Sequence, residues 1–418
     1  MTGVGLSTGL NRPGKYFDGR SAREDSWEAI KAGRSAVRVL DRTRAPDNSR
    51  ILGSTPVIHP IKNYEYLYDI LRVAVDDAAH DAGLGRLDYD RDRAAALIGL
   101  SKGGFRHLTI MDRLIRDDGP EHKMIGWHWP QAWPSHGATL VAARFGLRGP
   151  SEGPVAACAT GLVAVLQGTE LIRRGVCDLV FAGAADASLE PLLLASFRKM
   201  KILARCNEDD DPTGAVRPWD KRRSGFVVGE GGAVFILERA DHARARGVLP
   251  YAEVAGGALG ADAYHETNLN PDPTNLAGLI GRALESADVK PSEIDYVNVH
   301  GTATRDNDPL ECRALRMALG PEADRVSCSA NKAQIGHLLG AAGAAELAIT
   351  CLAIRDGFVP PTLNLTDPDP ACDLDGTPQV GRARSIRAAL KLSLGFGGHL
   401  AACVLRRPDG PRRGPVDA

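Results

Sequence analysis

Strand-length apolar runs alternate with helix-period segments, and the alternation occurs twice along the chain. In the first half, "YLYDILRVAVDDAAHDAGL" (66–84) places apolar groups at helical spacing and stops at Gly83. "AALIGL" (95–100) follows as a buried strand, and 159–174 predicts a second helix closed by Arg173, Arg174 and Gly175. "CDLVFAGAA" (177–185) and "GAVFILE" (232–238) predict further strands. The second half repeats the order: a strand at 251–259, a helix at 275–289, a strand at 294–301, helices at 308–320 and 344–357, and two strands around a Gly-rich turn at 388–407. Such alternation predicts an α/β protein whose sheets are covered on both faces.

The totals narrow the function. The 418 residues suit two domains or one duplicated core, and a net charge of −1 gives no field for a bulk polyanion, so nucleic acid is not an expected partner. No run of ~20 apolar residues predicts a membrane span. The first twenty residues, "MTGVGLSTGLNRPGKYFDGR", do not read as a secretory leader. Eight cysteines (158, 177, 206, 312, 328, 351, 372, 403) are far apart and form neither a CxxC nor a Cys/His cluster. That spacing argues against zinc and disulfides and for a reducing cytoplasm.

Four stretches carry chemistry. "GPVAACATGL" sets Cys158 among small residues just before a helix, where free N–H groups favour a thiolate. A cysteine alone is more often a small buried hydrophobe. "VNVHGTATRDNDPLE" puts His300 at a strand's carboxyl end, the side on which α/β proteins bind ligands. Thr302 and Thr304 follow it, then Asn307, Asp308 and Glu311, which can cap the next helix or brace a site. "SANKAQIGHLLGAAGAAE" holds Lys332 and His337 in an almost uncharged segment, and "LGFGGHL" sets Phe396 among three glycines whose N–H groups can face a site.

With "FGLRGPS" (145–151), "VRPWDKRRSGFVVGEGGAVFILE" (216–238) and "DAYHETN" (262–268), these stretches make the chain resemble, over nearly its whole length, a type I/II β-ketoacyl-(acyl carrier protein) synthase of the thiolase-fold superfamily. The resemblance implies duplicated α/β halves in a five-layered α-β-α-β-α core, with residues 1–250 carrying the nucleophile, 251–410 both histidines, and 411–418 a polar tail. It implies an acyltransferase that joins an acyl group on Cys158 to malonyl carrier with loss of CO₂. Cys158, His300, His337 and Lys332 would be catalytic, with oxyanion contacts from the N–H groups of Cys158 and Phe396 and from both imidazoles. Each good donor in such a hole is worth roughly 2.7–4 kcal/mol. Lys332 would polarise the network and Glu311 brace the loops. Thr302 and Thr304 would grip pantetheine amides, and Phe396 would gate the two half-reactions. No metal or cofactor of its own is implied; substrates ride on the phosphopantetheine of acyl carrier protein. A homodimer is expected, or a heterodimer with a ketosynthase homologue. Carrier-facing bases are sought at Lys62, Arg72, Lys199, Lys201 and Arg205.

Four places depart from a housekeeping fatty-acid enzyme. The chain opens at "MTGVG", so either the first strand is short or the true start lies upstream. Leu392, Leu394, His399 and Leu400 surround the gate where Asn-Ser-Phe and Thr-Asn are usual. Lys102, in "LSKGGF", is expected to reach the acyl pocket with a charge that costs several kcal/mol if buried unpaired, unless it snorkels to solvent. Trp127, Trp129 and Trp133 are expected to line that pocket and the dimer seam. These features suggest a short, polar or aromatic acyl group and a polyketide-like or specialised fatty-acid pathway. The alternatives are a housekeeping elongation synthase, an inert chain-length-factor-like partner subunit, a thiolase, for which Cys403 is the only second cysteine near the C-terminal turn, or a synthase III-type enzyme, which usually has Asn where His337 stands.

Overall fold

The computed structural model describes residues 1–11, 21–40, 52–56, 66–85 and 89–409. Lys62 and the tail 411–418 lie outside the described residues. Two five-stranded sheets carry the fold. The first runs Gly3–Ser7, Gly231–Glu238, Leu179–Asp186, Ala94–Gly99, Ser151–Glu152 across the sheet. The second runs Glu253–Ala261, His399–Arg406, Ala388–Gly395, Ile294–Asn298, Ser327–Ser329. The lateral order of the strands, numbered by their place in each half, is the same in both. So is the pairing sense: two antiparallel pairs, then two parallel ones. The repeat visible in the sequence is thus a repeat of topology.

Two helices lie between the sheets. Thr160–Arg173 packs on Leu179–Asp186 and Ala94–Gly99 of one sheet and on His399–Arg406 of the other. Ala342–Asp356 packs on Gly231–Glu238 and Ala388–Gly395. The latter is buried along all but its last residue, Asp356, and Glu346 and Thr350 are buried together with its apolar residues. Tyr66–Asp81 and His136–Phe145 cover the outer face of the first sheet, and Thr274–Ser286 with Asn307–Leu319 the outer face of the second. The result is the expected α-β-α-β-α stack.

Helix and strand expectations fall within a few residues of what is observed. The strand expected over 294–301 ends at Asn298, and His300 stands in the turn beyond it. The first strand is a five-residue edge, Gly3–Ser7, paired along its whole length with Gly231–Glu238.

Candidate active site

The turn Ala157–Ala159 holds Cys158 immediately ahead of the helix Thr160–Arg173, in a conformation that gives Ala157 a positive φ of 45°. Cys158 is half-buried and lines a cavity of about 570 Å³. His300, His337, Thr302, Thr304, Phe396 and Lys102 line the same cavity. The two imidazole rings stand 5.4 Å apart, nearly perpendicular. Apolar walls come from Leu193, Phe197, Met200, Ile202, Phe226 and Leu394.

Each polar group is held from behind. Glu311 accepts the N–H of His300 at 2.6 Å and of Gly301 at 2.7 Å, and Asn307 Nδ2 at 2.7 Å, so it shapes the turn that aims His300. Burial pushes its carboxyl up to about 7. Lys332, fully buried, donates to the carbonyl of His300 and to Glu346 at 2.6 Å. The Thr302 and Thr304 hydroxyls lie 2.8 Å apart. Phe396 stands at the head of the hairpin joining Ala388–Gly395 to His399–Arg406, and the turn is pinned by Gly397 N–H on the Glu266 carbonyl at 2.7 Å. Gly395 is required there: a Cβ would fall 2.6 Å from the Ala156 carbonyl oxygen and 3.1 Å from the Cys158 nitrogen. That close approach brings the backbone beside Phe396 up to the Cys158 N–H.

Proton positions follow from the contacts. His337 Nδ1 accepts the Leu339 N–H at 3.3 Å, so its own proton belongs on Nε2. His300 Nδ1 is buried with no hydrogen-bond partner among the described residues, so neither tautomer is imposed. Burial, reinforced by Lys332, holds both imidazoles well below their ordinary range, and both are neutral at pH 7.

Four expectations need correction. The helix start was expected to lower the Cys158 thiol; burial instead pushes it up to about 11, against the pull of Lys102 and Lys332. Lys102 is neither unpaired nor free in solvent: it is 25% exposed and bound to Asp186 at 3.0 Å and Ser101 at 2.6 Å. Trp129 is not among the residues lining the cavity. In the helix Met124–Gln131 the buried positions are His128 and Gln131, which leaves Trp129 54% exposed, edge-on to Trp133. Of the bases, Lys199, Lys201 and Arg205 gather with Arg198 along a neighbouring groove of about 880 Å³, whereas Arg72 lies apart, 3.8 Å from Asp69.

Three residues of the site were missed. Asp186 ends its strand and accepts from Lys102, Ser101 and the Gly340 N–H at 3.0 Å, tying the Lys102 loop to the His337 turn. Glu346 and Lys391 are buried partners, 2.7 Å apart. Their signal was available: each is the lone charge in an otherwise apolar stretch, "AAELAIT" and "AALKLSL".

Known proteins agree with this arrangement. The family model "Beta-ketoacyl synthase, N-terminal domain" matches residues 58–243, and its C-terminal counterpart matches 251–366. The tetracenomycin polyketide synthase ketoacyl synthase alpha subunit of Streptomyces glaucescens is 38% identical, covering 92% of this chain and 93% of its own. The 3-oxoacyl-[acyl-carrier-protein] synthase 2 of Synechocystis is 35% identical, covering 97% of each. Among solved structures, a type II PKS ketosynthase, bound to a hexaketide in complex with its acyl-carrier protein, superposes with a TM-score of 0.88 at 32% identity, over 97% of this chain and 98% of that one. The ishigamide ketosynthase/chain length factor superposes at 0.86 with 28% identity, over 98% of each chain. By its matched domains, its relatives and its topology, this chain belongs to the β-ketoacyl synthase family.

Proposed function

We propose that the chain is a β-ketoacyl-(acyl carrier protein) synthase that joins an acyl group on Cys158 to malonyl carrier with loss of CO₂, in polyketide-like or specialised fatty-acid synthesis. The carrying observation is one cavity lined at once by a cysteine at a helix start and two neutral imidazoles.

With its pKa near 11, Cys158 rests as the thiol and must shed a proton to attack. His300, which lines the same cavity, takes that proton. The sulfur adds to the carrier thioester, and the N–H groups of Cys158 and Phe396 receive the oxyanion. Collapse breaks the carrier C–S bond, and the departing pantetheine sulfur takes the proton from His300. In the second half-reaction the malonyl thioester oxygen accepts from both imidazoles. The C–C bond to the carboxylate breaks, CO₂ leaves, and the electron pair enters an enolate held by Nε2–H of His337 and His300. The enolate carbon attacks the Cys158 thioester, and the cysteine sulfur departs as the thiolate and regains its proton from solvent. Lys332 and Glu311 act through His300, and Thr302 and Thr304 meet the pantetheine arm.

The acyl carrier docks along the groove of Arg198, Lys199, Lys201 and Arg205, which shares Phe226 with the cavity. A second copy or a ketosynthase homologue completes the assembly. No disulfide joins any of the eight cysteines, which suits a reducing cytoplasm, and no helix among the described residues is long and apolar enough to cross a membrane. The Lys102–Asp186 pair in the cavity region favours short, polar or aromatic acyl groups over long alkyl chains.

The test is intact mass spectrometry after offering a panel of acyl carriers, then malonyl carrier. The expected result is an acyl adduct on Cys158, strongest for short or polar groups, and a product longer by two carbons. Absence of any adduct overturns the enzyme reading in favour of an inert partner subunit; preference for medium-chain saturated carriers overturns the pathway reading.

A further inference from the structure

We propose that Lys391 is a positioning residue for the condensation step: with Lys332 it clamps Glu346 and the carbonyls of three successive residues, Asn298, Val299 and His300, fixing His300 and leaving one excess positive charge behind the imidazoles. This deepens the function proposed above and rests on it.

The geometry explains why a lysine is placed there. Parallel pairing between Ile294–Asn298 and Ala388–Gly395 ends at the register pair Asn298–Lys391. Beyond it the chain turns away to carry His300 into the cavity, so its carbonyls leave the ladder inside a dry interior. A buried carbonyl left without a donor is costly. The Lys391 side chain takes over from the backbone: its Nζ lies 3.2 Å from the Val299 oxygen and 3.5 Å from that of Asn298. Lys332 Nζ takes the His300 carbonyl. The two ammonium groups then divide one carboxylate, Lys332 on Glu346 Oε1 at 2.6 Å and Lys391 on Oε2 at 2.7 Å.

The surrounding carboxyls do not cancel this surplus below about pH 7, where Glu311 is protonated. On the helix Asn307–Leu319, Glu311 and Asp308 are spent on backbone N–H groups of Gly301, His300, Ala303 and Trp219, and burial raises both carboxyls. Tyr296, on the same strand as Asn298, is bound to Ser329 and neutral. Across the cavity Asp186 is occupied by Lys102, and the Cys158 thiol is protonated at rest. Lys391 therefore helps keep both imidazoles neutral and lowers the energy of the enolate. Burial holds its own pKa down to about 8, so the surplus charge fades as pH rises through that value. The carbanion step then weakens on the alkaline side by more than acylation of Cys158, in which the oxyanion rests on the Cys158 and Phe396 N–H groups and His300 serves only to receive the thiol proton.

The experiment compares full-length wild type, Lys391→Met and Lys391→Arg from about pH 6 to about pH 9. Cys158 acylation is read by intact mass, and CO₂ release from malonyl carrier is followed separately. We expect wild-type CO₂ release to decline above about pH 8. In Lys391→Met it falls roughly tenfold at neutral pH and loses that limb, while acylation, which also draws on His300, falls by a smaller factor. In Lys391→Arg the rate persists and the limb leaves the accessible range. If the Met variant does not fold, the Arg variant decides alone: a limb unmoved from wild type overturns the proposal. So does a Met variant that folds but loses both half-reactions in equal proportion, or changes neither. A wild type that releases no CO₂ from malonyl carrier instead overturns the function itself.

Discussion

In the N-terminal half a short turn, Ala157–Ala159, leads into the central helix Thr160–Arg173; in the C-terminal half the turn Leu339–Ala341 leads into Ala342–Asp356 in the same way. Even the strain is repeated, with φ of 45° at Ala157 and 46° at Leu339. The side chains differ entirely. The first turn presents a sulfur. The second uses its first N–H to fix the tautomer of His337. All the buried charge behind the imidazoles, Lys332, Glu346, Lys391 and Glu311, also belongs to the C-terminal half. Under the proposed function this is a division of labour between copies of one backbone: one half would hold the acyl group, and the other would make the carbanion.

That division is most strongly tested by removing the sulfur. Cys158→Ala is expected to lower condensation by at least about a thousandfold, with no mass adduct, while CO₂ release from malonyl carrier persists. If CO₂ release disappears as well, the halves do not divide the chemistry as described. The two histidines sharpen the comparison further. His337→Ala removes a fixed donor, so CO₂ release falls about 10²–10³-fold while Cys158 acylation falls far less. His300→Ala is expected to depress both half-reactions, because that imidazole also receives the thiol proton. Separate single-turnover measurements of the two steps check this, and equal effects of the two variants would refute the assignment of the proton to His300.

Much of this was legible in the sequence because the decisive residues sit where local rules place them: Cys158 before a helix, His300 beyond a strand, Phe396 in a glycine turn. What escaped depends on contacts far apart in the chain. Lys102 has its partner 84 residues away, in Asp186, so its charge could be noticed but not its neutralisation. Lys391 and Glu346 are isolated charges in apolar elements, a signal that names buried partners without saying what they hold. The expectation that the tryptophans line the cavity failed for a different reason: an eight-residue helix with Pro130 inside it has too weak a periodicity to reveal its buried side, and that side carries His128 and Gln131. The Cys158 thiol shows a competition of magnitudes, in which desolvation outweighs the nearby ammonium groups.

The smallest effect tests how closely the two central helices are matched. They cross through Gly161 and Gly343, yet the two crossings are not equally tight. A Cβ at Gly161 would lie 2.7 Å from the Ala344 Cβ and 2.8 Å from the Ala344 backbone nitrogen. At Gly343 it would meet the Ser393 hydroxyl at 2.8 Å and both the Cβ and the backbone nitrogen of Leu162 at 3.0 Å. A serine hydroxyl can rotate away; a helix backbone cannot move without shifting its neighbours. Gly161→Ala is therefore expected to cost about 1–3 kcal/mol, read as a lowered Tm, and to slow Cys158 acylation because Gly161 lies in the first turn after the nucleophile. Gly343→Ala is expected to cost less than Gly161→Ala, since its contact with the partner helix backbone is looser, 3.0 Å from the Leu162 nitrogen against 2.8 Å from that of Ala344. Equal Tm changes in the two variants would show that the helices are interchangeable at their crossing, and that the asymmetry between the halves is confined to their side chains.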